Sequence, residues 1–363
     1  MSQAPEDAEV RVTTLELFFD LVFVFTITQL TSVLVAEPTA RGVLQAVLVL
    51  GVIWWMYAGY AWLTNALRPA RALHRALLLG GMAGFLVIAL AVPRAFAGNG
   101  TAFALGYLVV VSIHSGLFAA ATRAIIPIAR INVTAALILV AGGLAGGNVQ
   151  YALWALVFVV LWSTPYFQRP TGFNIAAGHF VERHGLVVLV AIGESVVAIG
   201  IGLAAFRLDL ELAGVAVLGL ALSACLWWIY FGGDEERAEA ALAAVATERR
   251  PIVAVTAFGH WHLLILLGIV AVAAAVKQGS HHPFEALELG PALELAGGVF
   301  VFLLGDVLFR RMLDIGAGRW RLGAAVLALA TIPLGLAVAA AAQIAALVAL
   351  LAGALVAEPA PAS

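Results

Sequence analysis

Glu16 and Asp20 stand four residues apart inside "LELFFDLVFVFTITQL", a stretch from Leu15 to Leu30 that is otherwise almost wholly apolar. On a helix that spacing places both acids on one face. A third acid, Glu194, sits inside "VERHGLVVLVAIGESVVAIG" with Gly193 before it and Ser195 after it. An ionisable group within an apolar span costs about 2.5–3.5 kcal/mol at the helix centre, so it needs a partner, a cavity or a pathway. Carboxyls in such places bind protons or cations.

Each acid also has a plain structural reading. Glu16 suits a helix start, where the positive end of the macrodipole favours acids. Asp20 lies a turn deeper, where that effect fades, so a buried pair or a functional role is expected for it. For Glu194 the plain reading is a neutral, hydrogen-bonded carboxyl locking two helices. The alternative is a proton or cation site near the middle of the membrane.

Histidines supply the remaining candidates. "HFVERHG" sets His179 three residues before Glu182, with Arg183 as the expected ion-pair partner of Glu182 at the membrane surface; a proton-entrance cluster is the functional alternative. "HWH" carries His260 and His262. Two residues apart on a helix they point about 200° away from each other, so they cannot chelate one ion. His114 and Asp306 are isolated polar residues in apolar runs, each read as a packing group or a pathway group.

The elements that must hold these groups are membrane helices. The 363 residues are 63% hydrophobic and 11% charged, with a mean hydropathy of +1.05. Soluble domains run near half apolar and a quarter charged. A span needs about 20 apolar residues. Spans are expected near 15–36, 42–65, 72–93, 101–122, 128–147, 149–168, 184–205, 210–232, 251–276, 291–311, 321–339 and 341–357. With this division, Arg41, Arg94, Arg207 and Lys277 fall on one side and the rest of the 19 basic residues fall on the other. That bias places both termini in the cytoplasm.

The chain is thus all-α and polytopic: a tail at 1–14, a first six-helix half at 15–168, a second at 169–357 and a tail at 358–363. Two similarities suggest that the halves repeat. "IWWMY" in the second span returns as "LWWIY" in the eighth, and the Gly106–His114 spacing returns as Gly298–Asp306. Six spans per half make the repeats parallel. Trp54, Trp55, Trp227 and Trp228 are read as interfacial anchors or internal packing.

The sequence carries no P-loop, GxGxxG, HExxH or nucleophile elbow. Cys225 is the one cysteine. No cofactor, no metal site, no nucleic-acid partner and no enzymatic activity is expected. No removable signal peptide is read. The expected partners are the lipid bilayer and a small solute or ion.

"LELFFDLVFVFTITQLT", "HFVERHGLVVLVAIGESVVA" and "WWIYF" closely resemble the bacterial low-temperature-requirement A family, across essentially the whole chain. The resemblance implies Glu16, Phe19, Asp20, His179, Glu182, Gly185, Gly193 and Glu194 as family-type positions and a bacterial plasma-membrane location. His184 departs from the aromatic residue expected before that glycine. "FFDLVFVFTIT" is also similar to the first-helix pattern F-S-D-x-V-F-x-I-x-I-T of the lysosomal potassium channel family, with Phe19 in place of the serine. Those proteins have two six-helix repeats, with the first and seventh helices lining the pore. Three functions follow as expectations: a proton- or cation-coupled secondary transporter, a cation channel, and, third, a membrane-embedded lipid enzyme using His260, His262 and the acids.

Overall fold

A computed structural model describes residues 12–358 apart from 68–70, 169, 171, 174, 204–206 and 208. Arg11, Arg68, Arg169, most of the 1–14 tail and the last five residues of the 358–363 tail lie outside the described residues. All regular structure among the described residues is helical. The helices are α1 (Thr14–Ala36), α2 (Ala40–Ala66), α3 (Ala72–Ala91), α4 (Gly100–Ala121), α5 (Ile126–Ala145), α6 (Gly147–Phe167), α7 (Ala177–Leu203), α8 (Leu210–Phe231), α9 (Asp234–Ala244), α10 (Arg250–Ala254), α11 (His262–Ser280), α12 (Leu289–Met312), α13 (Arg319–Leu329), α14 (Ile332–Ala337) and α15 (Ala340–Ala357). A π-helical stretch, Val255–Trp261, joins α10 to α11.

Among the described residues, twelve helical segments are long and apolar enough to cross a membrane. An α-helix satisfies its own backbone groups, which lipid cannot do. The chain is a multi-pass membrane protein. The ninth segment is built from α10, the π-helical stretch and α11, and the eleventh from α13 and α14. The expected break between the fifth and sixth spans falls at two glycines: Gly146, after α5, and Gly147, the first residue of α6, take positive φ of 65° and 55°, a conformation open to glycine.

One expected boundary shifts. The seventh helix begins at Ala177 rather than 184, so "HFVERHG" lies within its first turns. After the eighth span the chain continues in the short helix α9, whose first residue, Asp234, is buried.

Neighbours in the first half recur in the second. α1 packs on α2 and α3, α3 on α4, α4 on α5, α5 on α6, and α2 on α6. Likewise α7 packs on α8 and α11, α11 on α12, α12 on α13, α13 on α15, and α8 on α15. Both halves close their third-to-fourth crossing on paired glycines. A Cβ on Gly84 would lie 3.2 Å from the Gly106 carbonyl oxygen, and one on Gly106 would lie 3.1 Å from that of Gly84. At the other crossing, a Cβ on Gly268 would lie 2.6 Å from the Gly298 carbonyl oxygen, and one on Gly298 would lie 2.9 Å from that of Gly268. Small residues let helix backbones approach where no hydrophobic effect drives them together. The halves meet mainly along α1 with α7 and α11.

Candidate functional site

Thr13 starts α1 with a capping box: its hydroxyl donates to Glu16 Oε2 at 2.8 Å, and its backbone N–H donates to the same oxygen at 2.8 Å. The dipole reading of Glu16 therefore holds for one carboxylate oxygen. The other, Oε1, faces α7. There it meets Arg183 Nη1 at 2.9 Å and His179 Nε2 at 3.0 Å. Arg183 Nη2 then reaches Asp20 Oδ1 at 3.0 Å. From α2, Tyr57 donates to that same oxygen at 2.5 Å, and Thr64 Oγ1 accepts from Arg183 Nη1 at 3.3 Å. The rings of Phe19 and Tyr57 each lie 5.7 Å from the guanidinium carbon, within cation–π range.

Periodicity explains the convergence. Residues 16 and 20, and residues 179 and 183, are both i, i+4 pairs, so each helix presents one two-residue face to the other. The expected Glu182–Arg183 pair is corrected here. Adjacent residues point in different directions on a helix; Arg183 turns inward, while Glu182 stays half-buried and accepts from the Val12 N–H at 3.4 Å. The inner cluster holds two carboxylates, one guanidinium and one imidazole, all buried. With neutral His179 it carries one negative charge too many; one proton on His179 or on a carboxyl balances it. Asp20 Oδ2 and His179 Nδ1 have no hydrogen-bond partner.

Glu194 is not part of that cluster. It is buried, and Thr28 on α1 donates to its Oε2 at 2.7 Å. Among the described residues, no basic group reaches ion-pair distance of it. At ~1.5 Å per residue, Thr28 lies ~12 Å beyond Asp20 along α1, and Glu194 lies ~16 Å beyond Arg183 along α7. Phe23 and Ile27 on α1 and Val187, Val188 and Ala191 on α7 occupy the interval, all buried in the apolar core. Acids thus stand at two depths on one helix pair, with a mostly apolar layer between that also holds the buried Thr26 on α1, its hydroxyl unpartnered, and the buried His184 on α7. Ser195, next to Glu194, is buried with its hydroxyl unpartnered.

The remaining candidates are separate from both levels. His114 Nε2 contacts the Gly59 carbonyl at 3.0 Å. His262 Nε2 contacts the Tyr230 hydroxyl at 2.7 Å and its Nδ1 contacts the Ala257 carbonyl at 2.9 Å. His260 spans the Val255 and Trp162 carbonyls at 3.1 and 3.0 Å. His260 and His262 each reach a carbonyl five residues back, a spacing that the π-helical stretch supplies. They point to different neighbours, as their spacing predicts.

Asp306 belongs to a second buried charge cluster. Arg321 Nη1 contacts its Oδ2 at 2.8 Å and Asp234 Oδ2 at 2.9 Å. Arg310 Nη1 contacts Asp234 Oδ2 at 2.9 Å, and Arg237 also pairs with Asp234. Glu358, just past α15, bridges Arg310 Nη2 at 3.0 Å and Arg321 Nε at 2.9 Å. No group of three or more His, Cys, Asp or Glu suited to a metal occurs among the described residues.

Sequence reasoning missed Tyr57, Thr28, Asp234, Arg310 and Glu358, and it gave Arg183 the wrong partner. Arg183 had a usable signal: it stands four residues after His179 and so shares its face. Tyr57 and Thr28 are ordinary residues in apolar helices, and only the packing shows their role.

The model for the bacterial low temperature requirement A protein family matches residues 11–356. The chain belongs to the low-temperature-requirement A family. A relative from Rhizobium meliloti (strain 1021), the uncharacterized protein RA0937, is 30% identical over 322 residues, covering 82% of this chain and 76% of that protein. The stretches expected to mark the family, 15–31 and 179–198, are those that build both acidic levels of this family member.

Proposed function

We propose that this family member is a proton- or cation-coupled secondary transporter of the bacterial plasma membrane, with both termini in the cytoplasm. The observation that carries the reading is the pair of acidic levels on α1 and α7, separated by a mostly apolar layer. Carriers place their sites at the interface between repeats and seal one side at a time. Here α1 and α7 are the first helices of two halves that share a neighbour pattern, and we read those halves as parallel repeats. Glu194 and Thr28 form the cation or proton site in the span interior. The Glu16–Asp20–Arg183–His179 cluster, one positive charge short unless it holds a proton, closes the N-terminal side.

The mostly apolar layer favours a carrier over an open pore. The partners are then the bilayer and a small solute or ion, and the protein is not an enzyme. The test is reconstitution into liposomes with imposed proton, sodium and potassium gradients, read by dyes inside the vesicles. Gradient-driven flux that Glu194→Gln abolishes supports the reading. Absence of flux across a broad solute panel, or flux unchanged in that variant, rejects it. Unitary currents in planar bilayers would instead identify a channel.

A further inference from the structure

The chain holds no aspartate or glutamate between Glu37 and Glu182. That stretch carries α2 to α6 and eight arginines. By the order of the spans, Arg41 and Arg94 fall on one side of the membrane and the other six, Arg123 and Arg130 among them, on the opposite side. On that side the second half mixes its arginines with acids such as Asp234, Glu235 and Asp314. The first half offers cations there and no carboxylate from its own loops.

Arg123 and Arg130 lie on one helical span, Arg123–Ala145, seven residues apart. Two turns separate them, so they share a face, with Arg130 ~10 Å deeper. Both are exposed, and among the described residues neither guanidinium makes an ion pair or a hydrogen bond. Arg321, near the start of α13, is by contrast buried against Asp306, Asp234 and Glu358. A cation within a span is costly without a counter-charge.

Arg130 also stands at one end of a groove between α5 and α6 with a volume of about 230 Å³. Thr134, Ala135 and Ile138 line it from α5, and Val157 and Val160 line it from α6. From Arg130 to Ile138 it runs ~12 Å along the helix, most of one leaflet of a ~30 Å hydrocarbon core. Thr134 and Val160 are exposed, so the groove opens toward the bilayer.

We propose that this groove holds an anionic phospholipid, with one acyl chain along it and the headgroup phosphate on Arg130 and Arg123. Helical side chains lean toward the helix N-terminus, which here is the headgroup side. The guanidinium fork matches phosphate oxygens. A free phosphate leaves the apolar groove unfilled, and a zwitterionic lipid brings its own cation to the arginines. The site is separate from Glu194 and from the transport reading.

The experiment is native mass spectrometry of the full-length protein, titrated in detergent with phosphatidylglycerol and with phosphatidylcholine of the same acyl chains. The native protein should hold one phosphatidylglycerol at least about tenfold more tightly than phosphatidylcholine. Arg130→Gln should cut that preference about fivefold, the worth of one basic residue at an anionic headgroup. Thr134→Trp fills the groove and should weaken both lipids. Arg319→Gln removes an exposed arginine of the second half and should leave the preference unchanged. Equal binding of the two lipids by the native protein overturns the proposal. So does an equal loss in Arg130→Gln and Arg319→Gln, which marks general attraction to a cationic surface. A dimer that Thr134→Trp dissociates, with no phospholipid held, overturns it too, since a second copy then fills the groove.

Discussion

Arg183 on α7 and Asp20 on α1 meet at 3.0 Å, both buried, and Arg183 holds Glu16 at 2.9 Å with its other terminal nitrogen. One guanidinium therefore ties the first helix of one half to the first helix of the other. Removing one partner of a buried pair leaves an uncompensated charge, which costs about 3–5 kcal/mol. Arg183→Met is expected to destabilise the protein by about that amount in detergent unfolding. Adding Asp20→Asn to Arg183→Met should recover part of the loss, because the orphaned acid is gone. A double-mutant cycle that shows strict additivity would contradict the coupling.

Glu194→Gln separates charge from hydrogen bonding. The amide keeps a carbonyl oxygen to accept from Thr28, so the unfolding midpoint should stay close to that of the native protein. Flux in liposomes should fall at least about tenfold, since a neutral amide takes up neither proton nor cation. Thr28→Val removes only the hydroxyl donor and should cost about 0.5–1.5 kcal/mol of stability. Parallel melting curves and flux assays check both halves of this expectation.

The glycine crossings differ sharply from other glycines in tolerance. At Gly298 a Cβ would lie 2.9 Å from the Gly268 carbonyl oxygen and 2.9 Å from the Val272 backbone nitrogen, so Gly298→Ala must push α11 and α12 apart. Overpacking of this kind costs about 1–3 kcal/mol. At Gly193 a Cβ meets nothing within 4 Å, so Gly193→Ala should be silent in the same unfolding assay. It should also leave the fold intact if Gly193 matters for transport, which flux measurement then reports.

Glu358 fastens the end of α15. It satisfies both Arg310 and Arg321, which are buried. Glu358→Gln should leave that cluster with an excess positive charge and loosen the last turns of α15. Faster amide exchange over residues 350–357, with exchange in α1 unchanged, is the expected reading.

Much of the fold was legible in the chain itself. The number of spans and the break at Gly146 and Gly147 follow from hydropathy, basic-residue bias and glycine chemistry. Both are local properties, and the membrane makes them decisive because lipid satisfies no backbone group. The tryptophans show where this stops. Trp54 is fully buried, while Trp227, its counterpart in the matching pentapeptide, is 39% exposed. Similar local sequence cannot say which neighbour covers it.

The acids divide in the same way. Their cost in lipid, and therefore their need for partners, was determined by residue type and position alone, and so was the shared face of Glu16 and Asp20. Which partner each one took was decided only by tertiary packing. Asp20 pairs with Arg183 rather than joining Glu194, and Glu194 takes Thr28, because α1 and α7 lie side by side in a register that sets these residues opposite one another. Register between helices distant in sequence depends on the sum of many apolar contacts. No local pattern in either helix encodes that sum.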